Sequence, residues 1–582
     1  MKKVNPLQLL NEEMESEQEV VRVNAIRRLP IIASVMGESN QAKSQILEYV
    51  DNIIAKEDND EVLYGIAEAL SNLAVYFKIK MIYLLEKLVA IEESVVRQKA
   101  VLGYVALAKT VNKKELREVL IPNVKKLSES SSLTTKISAI DVMTEMYPLC
   151  ADEEKKVIRS RFNVLFGEDS LMVRRVLASK LGTLCGFMGR PLVVTELIKS
   201  FKLLSNDDSA KVRIITIDSL VKLAECLSEE ENKNHMIPII IKLTSDKSWR
   251  VRVHLASKFS DISKAVGPDV SDSLVSVFAS LLRDNESLVR LDAVRALSKF
   301  VFILKPEKLS SLMSSLQLLG NDPVALVRAG VGELFQGMLS NSNLKNTLNK
   351  KTTLNKQIQI ILKKLSKDED LEVRMESFDV IKLCGSFLNP DEIDELIQSI
   401  YKSMDEASNW RLRLAGIDTL MTLAVGYANQ SLFDQKFKRA FLMGIKDQAE
   451  QVRSLVINYV PQLASFLKDN YLLTYLTVEM LTIINEEETH SYQKRISAIY
   501  GVKELYMSVR KTDSMDQILK NQIVPLTEDG VRNIRMVTVK VLKEIYGYSK
   551  SKDLKESIKK SVLKMDKVET DSETSSLISK FF

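Results

Sequence analysis

Histidine, cysteine and tryptophan are nearly missing from this sequence: three, four and two residues among 582. With three histidines and no Cys-x-x-Cys pair, no set of side chains has the spacing of a zinc site. The four cysteines, Cys150, Cys185, Cys226 and Cys384, lie far apart in apolar stretches. They read as buried free thiols of a reducing compartment. No apolar run approaches the ~18 residues of a membrane helix. Met1-Lys2-Lys3 turns acidic by Glu12-Glu13 without an apolar core of signal-peptide length, so a soluble intracellular chain is expected. Neither sign of charge prevails: 82 Lys and Arg face 77 Asp and Glu, a net +5 that is too balanced to point to nucleic acid. Gly-rich phosphate loops and the GxSxG, HExxH and HRD-type signatures are missing, so no catalytic residues, metal or cofactor are expected. Glycine (19) and proline (12) are also few, which suits an all-helical chain.

What the sequence does hold is a period. The stretch Asp246-Lys247-Ser248-Trp249-Arg250-Val251-Arg252 sets the pattern: an Asp followed six residues later by an Arg that sits after an apolar residue. The arginines recur at 22, 97, 174, 213, 252, 290, 328, 374, 413, 453, 495 and 535, with Leu63 and Lys136 where two are missing. From Arg174 to Arg328 the spacing is 38 or 39 residues. Such a period signals a stacked-repeat architecture, and it overrides the several domains that length alone suggests.

Counting from the Arg as zero, position +7 is apolar in all fourteen units and −1 in twelve. Position +3 is often small, as at Ala25, Ala100, Ala139, Ala293, Ala498 and Gly416. These offsets share one face of a helix. A second apolar stretch, such as 236–243 or 393–404, precedes each turn. Each unit is therefore a helical hairpin that buries its apolar faces only by stacking on its neighbours, an α-solenoid of the kind that binds proteins. Position −6 is Asp in seven units (207, 246, 284, 322, 368, 447 and 529). Two readings of it stand open: a ladder of Asp–Arg pairs between units, or a helix cap beside a solvated arginine.

Two further features stand out. The only tryptophans, Trp249 and Trp410, both sit at −3, each followed by an arginine. Each reads either as an interface anchor or as a ring folded onto the next turn. Between Arg328 and Arg374 the spacing stretches to 46, and residues 340–356, rich in Asn, Lys and Thr, read as a loop insertion. At the end, Asp553–Phe582 reads as a fifteenth unit, or Glu569–Ser576 begins a disordered tail.

The segments Val95-Val96-Arg97-Gln98-Lys99-Ala100-Val101, Val173-Arg174-Arg175 through Ala178-Ser179-Lys180-Leu181-Gly182, Asp246 through Arg252, Lys264-Ala265-Val266-Gly267-Pro268 and Trp410-Arg411-Leu412-Arg413-Leu414-Ala415 occur in this order. Together they resemble the HEAT-repeat scaffold (A-type, or 65-kDa regulatory) subunits of type-2A serine/threonine protein phosphatases, over essentially the whole chain. The resemblance implies a right-handed, horseshoe α-solenoid of about 15 HEAT hairpins that has no activity of its own. Residues 1–328 would receive a variable B-type regulatory subunit, with Leu171, Arg174, Arg175, Trp249 and Arg250 at the contact. Residues 329–370 would hold the insertion. Residues 371–582 would receive the phosphatase catalytic subunit through Trp410, Arg411, Arg413, Tyr492, Val531 and Arg532. Hetero-dimers and trimers in the cytoplasm, and also in the nucleus, are implied. The sequence departs from the family pattern at Leu171, where Pro is usual, at Leu63, in the 340–356 stretch and in the C-terminal tail. The rival reading is a HEAT-solenoid nuclear transport receptor or another protein-binding adaptor. A transport receptor usually has a longer chain and an acidic inner face, which a near-neutral chain with arginines at its turns does not match.

Overall fold

The computed structural model describes residues 6–341, 352–385, 388–485, 492–509 and 513–581. Among them are helices and turns and no strand. Packing divides the chain into two units, Met1–Leu281 and Leu282–Phe582. The first runs through seven helical hairpins, from Pro6–Met14 with Glu19–Arg27 to the one ending in Trp249–Val266, and closes with Pro268–Ser273 and Val275–Leu281. The second opens with Ser287–Phe300 and runs through seven hairpins to Lys552–Asp566 with Ser572–Ser579. Each unit is a stack of hairpins, the all-α solenoid class that the period implies.

The second helix of each hairpin carries the repeated face. All fourteen +7 residues are at most 1% exposed, from Leu29 through Phe259 and Leu297 to Leu542. Successive second helices pack on one another, Leu171–Met188 on Ala210–Cys226 and that on Trp249–Val266. The small +3 residues allow the close approach. A Cβ on Gly416 would stand 2.5 Å from Met404 Sδ, and Ala25, Ala100, Ala139, Ala293 and Ala498 have no exposed surface. Leu63, in place of an arginine, is buried.

First helices hold a feature that the period does not announce. Among the described residues, six first helices have their start widened by a π-helical turn: Leu116–Leu120, Val193–Leu197, Asn232–Met236, Phe433–Phe437, Leu472–Leu476 and Leu519–Ile523. In three cases a proline stands two residues on, at Pro122, Pro238 and Pro525. Proline has no N–H to give and its ring crowds the carbonyl one turn back, and a wider turn accommodates both. The first and last residues of each π-turn are buried.

Two expectations are adjusted. The 340–356 stretch is not all loop: Ala325–Ser340 reaches its first residue, and Thr352–Leu365 is helical because Leu354, Ile358, Ile361, Leu362 and Leu365 form a buried stripe. Residues 342–351 lie outside the described residues. The end of the chain forms a hairpin: Asp571 accepts from the Thr574 amide at 2.8 Å, and Thr574, Ile578 and Phe581 are buried. All four cysteines are free thiols; three are buried, and burial, with the neighbouring Cys226 adding to it, pushes Cys185 up to about 12. No single described helix is long and apolar enough to cross a membrane; the pair Asp60–Asn72 and Ala74–Leu88 passes on composition but is bent by 61°.

One side chain works against the stack. Glu376 packs on Gly332 so closely that a Cβ there would stand 2.5 Å from Glu376 Cγ, and its Oε1 is buried without a hydrogen bond among the described residues. Burial, with Asp379 and Glu333 adding to it, raises this carboxyl to about 7. A folded-state pKa above the unfolded value means that folding takes up a proton here. The contribution of this group to stability is therefore greatest below about pH 4.5, falls as pH rises toward 7, and stays reduced above it. Glu376→Gln removes the ionised form. It is expected to raise stability by ~1–2 kcal/mol at pH 8 and by little near pH 5. Urea titrations at the two pH values check this, and equal gains at both would contradict it.

Candidate functional site, the row of intra-repeat turns

Where an Asp stands at −6, it and the zero arginine build the turn between the two helices of a hairpin, and the Asp is both cap and rung. As a cap, Asp246 Oδ1 accepts from the Ser248 amide at 2.8 Å, and Asp207, Asp322, Asp368, Asp447 and Asp529 do the same for the amides of Ser209, Val324, Asp370, Ala449 and Val531 at 2.8–2.9 Å. As a rung, each takes the arginine of the preceding unit. Arg213 grips Asp246 through Nε and Nη2, both at 2.7 Å. Arg174 pairs with Asp207 (2.6 Å), Arg290 with Asp322 (2.6 Å), Arg328 with Asp368 (2.7 Å), Arg413 with Asp447 (2.7 Å) and Arg495 with Asp529 (2.5 Å). Arg535 uses Glu569 at 2.8 Å, and Lys136, in the degenerate fourth unit, reaches Glu168 at 2.9 Å.

The third contact of the arginine is with its own turn. Nη1 of Arg213 donates to the Asp207 and Asp208 carbonyls at 2.6 and 3.1 Å, and Arg174, Arg290, Arg413 and Arg535 repeat the pattern. One guanidinium thus pins the turn that carries it to the turn that follows. These arginines are not solvated: the Arg213 and Arg328 side chains are 6% and 8% exposed. Hydrogen bonding to Asp246 raises Arg213 above an ordinary arginine. At Asp447, burial pushes the carboxyl up, but Arg413 and the Ala449 amide outweigh it and hold it below the usual range.

Two rungs differ. Opposite Arg374 the −6 position is Ala407, and Arg374 Nε is buried without a partner among the described residues. Opposite Arg453 it is Thr489, outside the described residues. Arg453 has no exposed surface, donates Nε to Ser497 Oγ at 2.9 Å, and leaves Nη2 without a partner among the described residues. Burial lowers its pKa, against the pull of Glu450 and Asp447.

With the ladder spent on internal contacts, the first residues of the second helices remain at the surface. Leu171 begins Leu171–Met188, Trp249 begins Trp249–Val266, Trp410 begins Trp410–Tyr427, Tyr492 begins Tyr492–Ser508, and Val531 caps Arg532–Tyr548. Leu171, Tyr492 and Val531 are exposed. Both tryptophans are half-buried, each with the guanidinium of the next residue over its ring: Arg250 Cζ 4.6 Å from the Trp249 centroid, and Arg411 Cζ 5.3 Å from Trp410. Asn409 Oδ1 accepts from the Arg411 amide at 2.9 Å and fixes the start of that helix.

The other expected contact residues are engaged within the protein. Arg174 and Arg413 belong to the ladder. Arg175 lies 3.8 Å from Met172 Sδ through Nη1. Arg532 bridges to Asp571 and Glu573 of the last hairpin at 2.7 and 2.9 Å.

Sequence reasoning passes over a further set of exposed apolar residues in the same row: Val20, Val95, Leu133 and Met172 in the first unit, Leu288 and Leu326 in the second. A signal for them exists. They stand at −2 or −3, off the −1, +3, +7 face, so the stack has no use for them. Apolar side chains and Trp–Arg pairs in a polar surround suit protein recognition. Among the described residues no group of three or more His, Cys, Asp or Glu is placed to hold a metal ion.

A family model described as PIK3R4-like, middle domain, matches residues 193–347. Over 272 residues the chain is 30% identical to the A-type regulatory subunit of protein phosphatase PP2A from Schizosaccharomyces pombe, covering 46% of each. It is 26% identical over 377 residues to the human 65 kDa A-type regulatory subunit, beta isoform, of serine/threonine-protein phosphatase 2A, covering 50% of this chain and 62% of that one. The matched stretch thus spans less than two thirds of either relative's length. Among solved structures, Kap121p bound to Ste12p superimposes with a TM-score of 0.55 at 11% identity, over 99% of this chain and 68% of that one, a likeness of fold alone. In fold the chain is an α-solenoid of stacked HEAT-type hairpins, and in sequence it is similar to the A-type regulatory subunits of protein phosphatase 2A.

Proposed function

We propose that this chain is a non-catalytic scaffold that assembles a serine/threonine phosphatase, its turn row holding a catalytic subunit toward the C-terminus and a variable regulatory subunit toward the N-terminus. The observation that carries this is the row itself. Exposed apolar and aromatic residues stand two to four positions before the arginine in many of the hairpins, on turns that the ladder makes rigid, in a chain whose relatives are named regulatory subunits. Residues 371–582, with Trp410, Arg411, Tyr492 and Val531 at the surface, form the catalytic-subunit side. Residues 1–328, with Leu171, Trp249 and Arg250, form the regulatory side, and the ladder arginines support both from beneath. Holding two partners at once raises the concentration of each at the other. The assembly works in the cytoplasm and nucleus as a hetero-dimer or trimer.

Trp410 is the test residue. It opens its helix in a turn, so removing the ring leaves the stack in place, while the Trp–Arg pair loses its centre. Trp410→Ala is expected to weaken binding of a purified type-2A catalytic chain by ~30-fold or more, about 2 kcal/mol. Thermal melting should stay within about 2 °C of the parent. Isothermal titration checks it, and unchanged affinity would remove Trp410 from the contact. The transport-receptor reading rests on fold likeness alone and is tested by the same preparations.

A further inference from the structure

The opposite end of the hairpins, where one repeat passes to the next, carries a second surface near the N-terminus. Three loops meet there. The Tyr76 hydroxyl donates to the Gly37 carbonyl, Lys80 Nζ donates to Asn40 Oδ1 at 2.9 Å, and Thr110 Oγ1 donates to the Ala74 carbonyl at 3.5 Å. Lys43 lies over the Tyr76 ring at 4.6 Å. On the helices leading into these loops stand Ile31, Val35 and Val75, exposed by 65, 69 and 70%. Ile31 and Val35 are one helical turn apart, so they share a face, and none of the three falls on the −1, +3, +7 stripe that the stack buries. Folding gains nothing from apolar residues at such positions.

Around them lysines outnumber acids. Lys78, Lys80, Lys109 and Lys113 are exposed, and Lys78, Lys109 and Lys113 have no acidic partner among the described residues. Lys114 has only Glu118, at 4.0 Å. Of the other acids in these loops, Glu115 is turned to the Asn112 amide at 3.1 Å, which leaves Glu38. Lys78 also has φ 51°, a left-handed backbone that a side-chain-bearing residue disfavours and keeps only where its surroundings enforce it.

We propose that this inter-repeat edge docks an acidic amphipathic segment of a partner protein, with its apolar face on Ile31, Val35 and Val75 and its carboxylates toward Lys78, Lys80, Lys109 and Lys113. The edge lies at the far end of the hairpins from the turn row, so this site stands or falls apart from the phosphatase reading. Charge complementarity selects the occupant: apolar residues flanked by Lys78, Lys109 and Lys113, lysines without acidic partners among the described residues, favour Asp and Glu and disfavour basic segments.

The test uses the full chain and a fluorescein-labelled synthetic helical peptide with leucines on one face and glutamates on the other. A scrambled peptide of the same composition and vesicles of phosphatidylserine and phosphatidylcholine serve as comparisons. The amphipathic peptide is expected to bind in fluorescence anisotropy and to weaken with added salt. It should lose at least about tenfold in affinity with Lys78→Glu/Lys80→Glu and again with Val35→Ser/Val75→Ser. All four positions are exposed, so melting should be unchanged in both variants. Equal binding of the scrambled peptide, equal binding by the variants, or no peptide binding would each overturn the proposal. Binding to the anionic vesicles without binding to the peptide would overturn it in favour of a membrane surface.

Discussion

Replacing Leu297 with Asp is expected to unfold the second unit locally, at a cost above ~5 kcal/mol. Leu297 is the +7 residue of Ser287–Phe300 and has no exposed surface. Cutting a leucine back to the size of alanine in such a place costs about 2–5 kcal/mol through lost burial and the cavity left behind. The aspartate adds a carboxylate with no partner, which must either stay ionised at a cost of several kcal/mol or take up a proton. Because hairpins in a stack touch only their neighbours, the damage concentrates in adjacent repeats. Hydrogen exchange should lose protection over 287–300 and the helices packed on it, Ala325–Ser340 first, while the early hairpins of the first unit keep theirs. Leu297→Ala should do the same at lower amplitude. An unaltered melting profile for Leu297→Asp would mean that +7 is not the core position.

The second large effect concerns the ladder. Asp246→Ala leaves the Arg213 guanidinium in place, nearly buried, with only the carbonyls of Asp207 and Asp208 as partners. Removing one member of a buried pair typically costs about 3–5 kcal/mol, because the other charge stays behind. Asp246→Asn keeps an acceptor for the Ser248 amide and separates the capping role from the ionic one; it should fall between the parent and the alanine variant. Arg213→Leu combined with Asp246→Ala should cost clearly less than the sum of the two single changes, since no buried charge is then orphaned. Urea unfolding followed by exchange at 203–252 reads the effect. A loss under 1 kcal/mol for Asp246→Ala would reduce the ladder to surface ion pairs of the ordinary, weak kind.

Much of this is legible in the sequence because the repeat averages over local accidents. The −1, +3, +7 face recurs often enough to identify the hairpin and its core, and the Asp–Arg offset raises the ladder as one of two readings. Lys136 reads as a missing arginine, yet a primary ammonium reaches Glu168 just as the guanidinium does at other rungs. The π-turns are not legible: they depend on how Leu116 and Leu120, or Phe433 and Phe437, both reach the core across a widened turn, and only half carry a proline to mark them. The 340–356 stretch misleads because its Asn, Lys and Thr content hides the start of the stripe at Leu354.

The turn row is legible in part. Tryptophan beside arginine points to Trp249 and Trp410, but the resemblance adds Arg174 and Arg413, whose donors the fold engages. The exposed −2 residues, Val95, Met172 and Leu326 among them, merge in the sequence with the apolar run that precedes the arginine. Only the three-dimensional turn separates the −1 residue that goes in from the −2 residue that stays out.

The central claim is that the chain holds a phosphatase together, and the most direct measurement is affinity purification of the tagged full chain from its own cells. Co-purifying proteins are identified and quantified by mass spectrometry, with phosphatase activity assayed on the same eluate and on one from the Trp410→Ala chain. A Ser/Thr phosphatase catalytic chain at near-equal stoichiometry, regulatory chains below it, and loss of the activity with Trp410→Ala are the expected results. An eluate without phosphatase that carries a small GTPase or transport cargo would contradict the scaffold reading and leave a HEAT solenoid of the transport class.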